Sequence, residues 1–281
     1  MYQQLVSVKQ RVAGFVWDSA RKTRNVFLDE LDVLAGRNDG MTPPRNVRQF
    51  VGGGDFRTVG EEFLKHFVEL GGLRPDARVL DVGAGAGRMA VPLTRFLSAE
   101  GGYDGLEIVP KGVRGAQRTI TPRHPNFRFH HADVYNQLYN PRGRHPASSY
   151  HFPFPDGHFD FVFATSVFTH MLPADVANYV AEIARVLRPG GTSFVTAFLI
   201  TPESRSLIAA GASTLDFRSA GEGYLTVNPQ RPEDAVALEE EFVREVHERA
   251  GLGVLDPIYP GDWSGRPDCR SYQDIVLARH A

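Results

Sequence analysis

The chain has 281 residues, 42% of them hydrophobic and 23% charged, and a formal net charge of -2; that make-up predicts a globular protein with room for one large α/β domain and additions. Balanced charge gives no global pull toward nucleic acid or anionic lipid, and the single cysteine, Cys269, excludes an intramolecular disulfide. No apolar run approaches the roughly eighteen residues of a membrane span, and no leader pattern opens the sequence, so the expectation is a cytoplasmic protein without stable membrane insertion.

Residues 4–34 carry apolar side chains at three- and four-residue steps (Leu5, Val8, Val12, Phe15, Val16, Val26, Phe27, Leu31, Leu34), which predicts an amphipathic helix with a solvated basic face. It breaks at residues 36–44. Gly52-Gly53-Gly54-Asp55-Phe56 then precedes a helix over 59–70, and residues 1–58 read as a helical extension and lid segment.

From residue 77 strands and helices alternate, which predicts a parallel, doubly wound sheet with its ligand at the carboxyl ends of the strands. The first strand runs into Asp81-Val82-Gly83-Ala84-Gly85-Ala86-Gly87. Glycines there let the backbone turn sharply and approach a ligand, and the following helix offers unpaired N–H groups. Arg88 stands where a dinucleotide fingerprint places its third glycine, so the spacing points away from NAD and toward S-adenosylmethionine. A second strand, 103–108, ends in Glu107-Ile108, where a carboxylate can accept both ribose hydroxyls. A third, 127–132, is followed by Asp133-Val134, whose carboxylate can take an adenine amine.

A fourth strand from Phe159 exits through Thr165 to His170, and a helix over 173–187 ends before Pro189-Gly190-Gly191 and a fifth strand, 192–200. Residues 201–231 show weak periodicity and read as a long loop over the acceptor. Pro232-Glu233-Asp234 is expected to start a helix that Gly251 ends, and strands over 254–259 and 272–278 form an antiparallel closing hairpin.

The three strand ends, together with Phe159 to His170 and Leu187-Arg188-Pro189-Gly190-Gly191, resemble the class I S-adenosylmethionine-dependent methyltransferases over most of the chain. Phe50 to Phe56, Gly261-Asp262-Trp263-Ser264-Gly265-Arg266 and Ser271-Tyr272-Gln273-Asp274 resemble a bacterial small-molecule subgroup. The resemblance implies a Rossmann-like, seven-stranded, mostly parallel sheet with S-adenosylmethionine held by Asp81, Gly83, Ala84, Gly85, Gly87, Glu107, Ile108, Asp133, Val134 and Thr165. Glu107 departs from the aspartate common in the family. On this reading residues 59–200 are the cofactor-binding core, 201–231 an acceptor lid, and 232–281 the helix and hairpin that complete the core.

Methyl transfer is an in-line displacement, so positioning supplies much of the acceleration and no covalent nucleophile is needed. His170 is the candidate base, because imidazole titrates near neutrality; the alternative is a histidine that braces its loop. Phe56, Tyr139, Trp263 and Tyr272 are the candidate acceptor-binding residues, the last two either walling the pocket or filling core. Arg142, Arg144, His145 and His151 form either an anion grip or a solvated basic loop. No metal-binding set follows strand four, so no metal is expected. The expected partners are a small-molecule acceptor in secondary metabolism, with oxygen favoured over carbon or nitrogen, and no nucleic acid, for a monomer or homodimer. The rivals are a nicotinamide oxidoreductase and a non-catalytic cofactor-binding protein.

Overall fold

A computed structural model describes residues 23–32, 34–35, 40–48 and 53–281. The helix expected from residue 4 lies outside the described residues as far as residue 22, as do Phe50, Val51 and Gly52 of the lid segment; residues 23–32 are helical.

Among the described residues ten strands follow in chain order: β1 (Arg78–Val82), β2 (Gly102–Glu107), β3 (Phe127–His131), β4 (Phe159–Ala164), β5 (Leu187–Ile200), β6 (Arg218–Gly221), β7 (Tyr224–Thr226), β8 (Val236–Glu239), β9 (Leu252–Tyr259) and β10 (Asp274–His280). The first five are parallel in the order β3-β2-β1-β4-β5. β10 lies antiparallel on β5, and β9 antiparallel on β10, so the expected Rossmann-like seven-stranded arrangement with its closing antiparallel pair is present.

Alternation along the strands sends successive side chains to opposite faces. Val79, Phe161 and Phe163 enter one core with Phe63 and Phe67 of α1 (Phe56–Glu69), Leu93 of α2 (Ala90–Phe96) and Val113 of α3 (Pro110–Thr119). Leu80, Val162 and Ala164 enter the other, under Val176 and Ile183 of α4 (Pro173–Val186). Phe67 stacks on Phe163 at 4.3 Å between ring centroids and meets Phe194 edge-on at 4.9 Å, so α1 is keyed to the middle of the sheet. Asp55 caps α1 by accepting from the Arg57 and Thr58 amides.

Two expectations need correction. Residues 201–231 are not an irregular loop: they hold α5 (Pro202–Ala209) and the β6–β7 pair. The segment after Pro232 makes a single helical turn, Pro232–Asp234, then β8, and only then α6 (Glu240–Arg249). The cause is β5, which continues past its β10 partner. Its last residues, Phe198, Leu199 and Ile200, pair with Ala237, Leu238 and Glu239 of β8, and β7 closes β8 from beyond. Without that partner the amides and carbonyls at the end of β5 would be buried and unpaired.

Candidate active site

A cavity of about 850 Å³ opens over the carboxyl ends of β1, β2, β4 and β5. Asp81, Gly83, Ala84, Gly85, Glu107, Ile108, Val134 and Thr165 all line it. Gly83 and Gly85 have φ of 86° and 57°, which glycine adopts without penalty, and a Cβ on Gly83 would stand 2.4 Å from Val167 of the β4 exit. The Glu107 carboxylate bridges the cradle, accepting from Gly85 N and Val109 N, both at 2.6 Å. Burial nevertheless pushes its pKa up. Asp81 is deeper still. Its Oδ2 accepts from the Tyr103 hydroxyl at 2.5 Å, while Oδ1 is buried with no partner among the described residues. Burial, aided by the Glu107 charge and opposed by Tyr103, pushes the Asp81 carboxyl up to about 8. An orphaned carboxylate oxygen beside a glycine cradle fits a ligand that brings positive charge.

On the same cavity, His170 ends a helical turn, Phe168–His170, that follows β4. Its Nδ1 lies 2.9 Å from the Glu233 carbonyl, which can only accept, so Nδ1 carries the proton and Nε2 keeps its lone pair. Nε2 faces the Tyr139 hydroxyl at 3.3 Å, and both rings line the cavity. Burial holds the imidazole below its usual pKa, against the pull of the Glu233 carbonyl and the Asp234 charge. The histidine therefore braces its loop and retains a basic nitrogen at once.

The last strand supplies a third wall. Asp274, almost fully buried, accepts from Leu199 N (2.8 Å), Trp263 Nε1 (2.6 Å), Gly261 N (2.9 Å) and Arg266 Nη1 (3.1 Å). Beside it, Gln273 Oε1 accepts from Thr196 Oγ1 at 2.6 Å and from Ser166 Oγ at 3.1 Å, and Ser166 N donates to Thr196 Oγ1 at 2.8 Å. Ser166 holds φ at 58°, an unusual conformation for serine, and Gln273 and Thr196 pin it there. Ser166 falls within the Phe159 to His170 marker, but its strain and its restraint by Thr196 carry no sequence signal, because they exist only once three distant strands meet.

Four residues expected to hold the cofactor or the acceptor do not line the cavity. The Asp133 carboxylate is paired with Arg144, which holds it below the usual carboxylate range, and its carbonyl accepts from the Arg144 and His145 amides. Gly87 turns the chain at φ 83°, packed under Ile120. Phe56 is buried beneath the guanidinium groups of Arg48 and Arg88. Trp263 is core, against Phe198 and Phe217. Tyr139 and Tyr272 do line the cavity; Arg142, Arg144, His145 and His151 do not. Among the described residues no group of three His, Cys, Asp or Glu is arranged to hold a metal, and no helix is long and apolar enough to cross a membrane.

A methyltransferase-domain family model matches residues 79–191. The 27-O-demethylrifamycin SV methyltransferase of Amycolatopsis mediterranei is 29% identical over 155 residues, which are 55% of this chain and 50% of that protein. The chain thus spans half the length of this curated relative. Among solved structures, PH0226 protein from Pyrococcus horikoshii OT3 superposes with a TM-score of 0.55 at 14% identity, covering 83% of this chain and 94% of that one. The [4+2]-cyclase SpnF superposes at 0.51 and 18% identity, covering 92% and 94%. These structural likenesses concern the fold, and the second shows that the fold also carries other chemistry.

Proposed function

We propose that this chain is a class I S-adenosylmethionine-dependent methyltransferase, with S-adenosylmethionine as cofactor, and that it methylates a hydroxyl of a small-molecule acceptor in cytoplasmic secondary metabolism. The observation that supports an oxygen acceptor is the Nε2 lone pair of His170, fixed in its tautomer by Glu233 and facing the cavity. Gly83, Ala84 and Gly85 would cradle the cofactor, Glu107 would accept from ribose hydroxyls, and Asp81 would face a cationic group. Ile108 and Val134 would flank the adenine, and Thr165 would lie at the β4 end of the cradle. When bound, the cofactor supplies an electrophilic methyl carbon.

His170 Nε2 takes the proton of the acceptor hydroxyl while its Nδ1–H stays on the Glu233 carbonyl, which steadies the imidazolium that forms. Tyr139, whose hydroxyl pKa burial raises, remains a neutral donor beside it and does not compete as the base. Thr196 and Gln273 hold the loop that carries His170, so the base approaches the acceptor without reorganising. A small acceptor also suits the relative that acts on a rifamycin, and the acid-rich lining, with Asp175, Glu233 and Asp262, disfavours a polyphosphate chain.

The test is His170→Gln, which preserves shape but accepts no proton. General-base loss should cut the single-turnover rate about 10²–10⁴-fold with cofactor affinity unchanged. In the parent protein the rate should rise with pH and level off below neutrality, since the depressed imidazole pKa leaves the base free there; the variant should lose that limb. A near-normal rate with the parent's pH profile would make His170 a brace alone.

A further inference from the structure

On the α4 side of the cavity two carboxylates have no basic partner among the described residues. Asp175, in the first turn of α4, accepts from Leu172 N at 3.3 Å; Glu233 accepts from Gln137 N at 2.6 Å. Both line the cavity, and neither forms an ion pair, whereas the neighbouring Asp234 is neutralised by Arg231 at 2.9 Å. Burial raises the pKa of both, and the Asp175 charge raises Glu233 further.

A second, independent feature lies one helical turn on. Tyr179 follows Asp175 by four residues, on the same face of α4. It is 5% exposed, lines the cavity, and its hydroxyl has no hydrogen-bond partner among the described residues. The ring is packed in the core and the hydroxyl opens on the cavity, where it is available to a ligand.

We propose that Asp175, Glu233 and Tyr179 form an anchoring subsite for a protonated amine of the acceptor. An ammonium donates three hydrogen bonds and accepts none, which matches two carboxylates and a phenol oxygen, and its charge relieves their mutual repulsion. An anionic anchor is opposed by the same groups. The Glu233 residue that offers its carboxylate here also offers its carbonyl to His170, so an amine held at this point sets the rest of the acceptor alongside Nε2. The inference rests on the methyl-transfer reading above and adds to it the class of acceptor: a hydroxylated molecule that also carries a basic nitrogen.

The test uses the full chain saturated with S-adenosylhomocysteine and three probes of one shape: tyramine, its neutral N-acetyl derivative, and 4-hydroxyphenylacetate, titrated by calorimetry. Tyramine should bind at least about tenfold more tightly than either other probe, the margin expected of a charge-assisted contact out of bulk water. Asp175→Asn keeps an acceptor for Leu172 N, and Glu233→Gln removes the second charge without touching the helix. Each should abolish the preference for tyramine and leave S-adenosylhomocysteine affinity unchanged. Equal binding of the three probes, binding of none, or an intact preference in both variants overturns the proposal. A parallel fall in S-adenosylhomocysteine affinity also overturns it, because the carboxylates would then serve the cofactor. None of these outcomes bears on His170→Gln, whose rate defect tests methyl transfer separately.

Discussion

The two acids of the cradle show how burial turns an ordinary carboxylate into a proton-linked binding group. Asp81, at about 8, is mostly protonated at neutral pH when the cradle is empty. The cofactor and its demethylated product both carry an ammonium, which favours the ionised carboxylate, so binding should release a proton. Affinity for S-adenosylhomocysteine should therefore rise with pH, by as much as about tenfold per unit, until pH passes about 8, and then level off. Calorimetry in buffers of different ionisation enthalpy measures the proton directly, and Asp81→Asn should flatten the profile. A flat profile in the parent chain would mean that the carboxylate is already ionised or faces no cation. Asp81 and Glu107 were legible in the sequence because a strand-end acid beside a glycine turn is a local pattern. The engagement of Asp133 was not, since Arg144 lies eleven residues on, across a turn with no periodic relation to it.

Elements were legible where their signal was local. β1 to β4 and α4 could be read from alternation and from three- and four-residue steps, whereas β8 could not. Val236-Ala237-Leu238-Glu239 runs straight into the acids of α6, and four residues carry too little periodicity to separate strand from helix. What makes them a strand is the end of β5, an edge that only the folded sheet presents. The Gly261 to Arg266 and Ser271 to Asp274 motifs likewise read as a marker with no stated task. Their task is the buried Asp274 node, which ties β5, β10 and the turn Asp262–Ser264 together and sets Tyr272 and Gln273 on the cavity. Asp274→Ala should strip Arg266 of a buried counter-charge and leave the Trp263 Nε1–H and two amides unpaired. The expected loss is about 3–5 kcal/mol in urea unfolding, the range for breaking a buried pair by removing one partner. A loss below about 1 kcal/mol would mean that Glu203 and Thr201, which also hold Arg266, suffice.

At the scale of the molecule, the sheet is covered on both faces, and the cavity opens at the rim over the strand ends. The excursion through residues 201–231 is anchored at its base, where Arg266 donates to Thr201 and Glu203, and touches down at its middle, where Thr214 bonds the Trp263 carbonyl and the Tyr272 hydroxyl. Its far end, the β6–β7 turn, carries Gly221 and Gly223 at the surface. Leu215 from this excursion, and Gly53 and Gly54 from the segment before α1, both line the cavity. We infer a lid that closes from both sides, hinged at the anchored base, because an in-line methyl transfer requires water to be excluded from the aligned groups. Amide exchange at residues 210–217 and 53–58 should then slow when S-adenosylhomocysteine and an acceptor probe are bound together, and less with S-adenosylhomocysteine alone. The amides of β1 and β4, already paired within the sheet, serve as the internal reference. Equal exchange at the rim with and without ligands would make α5 and the β6–β7 pair a fixed wall, and selection of the acceptor would then rest on the shape of the open cavity.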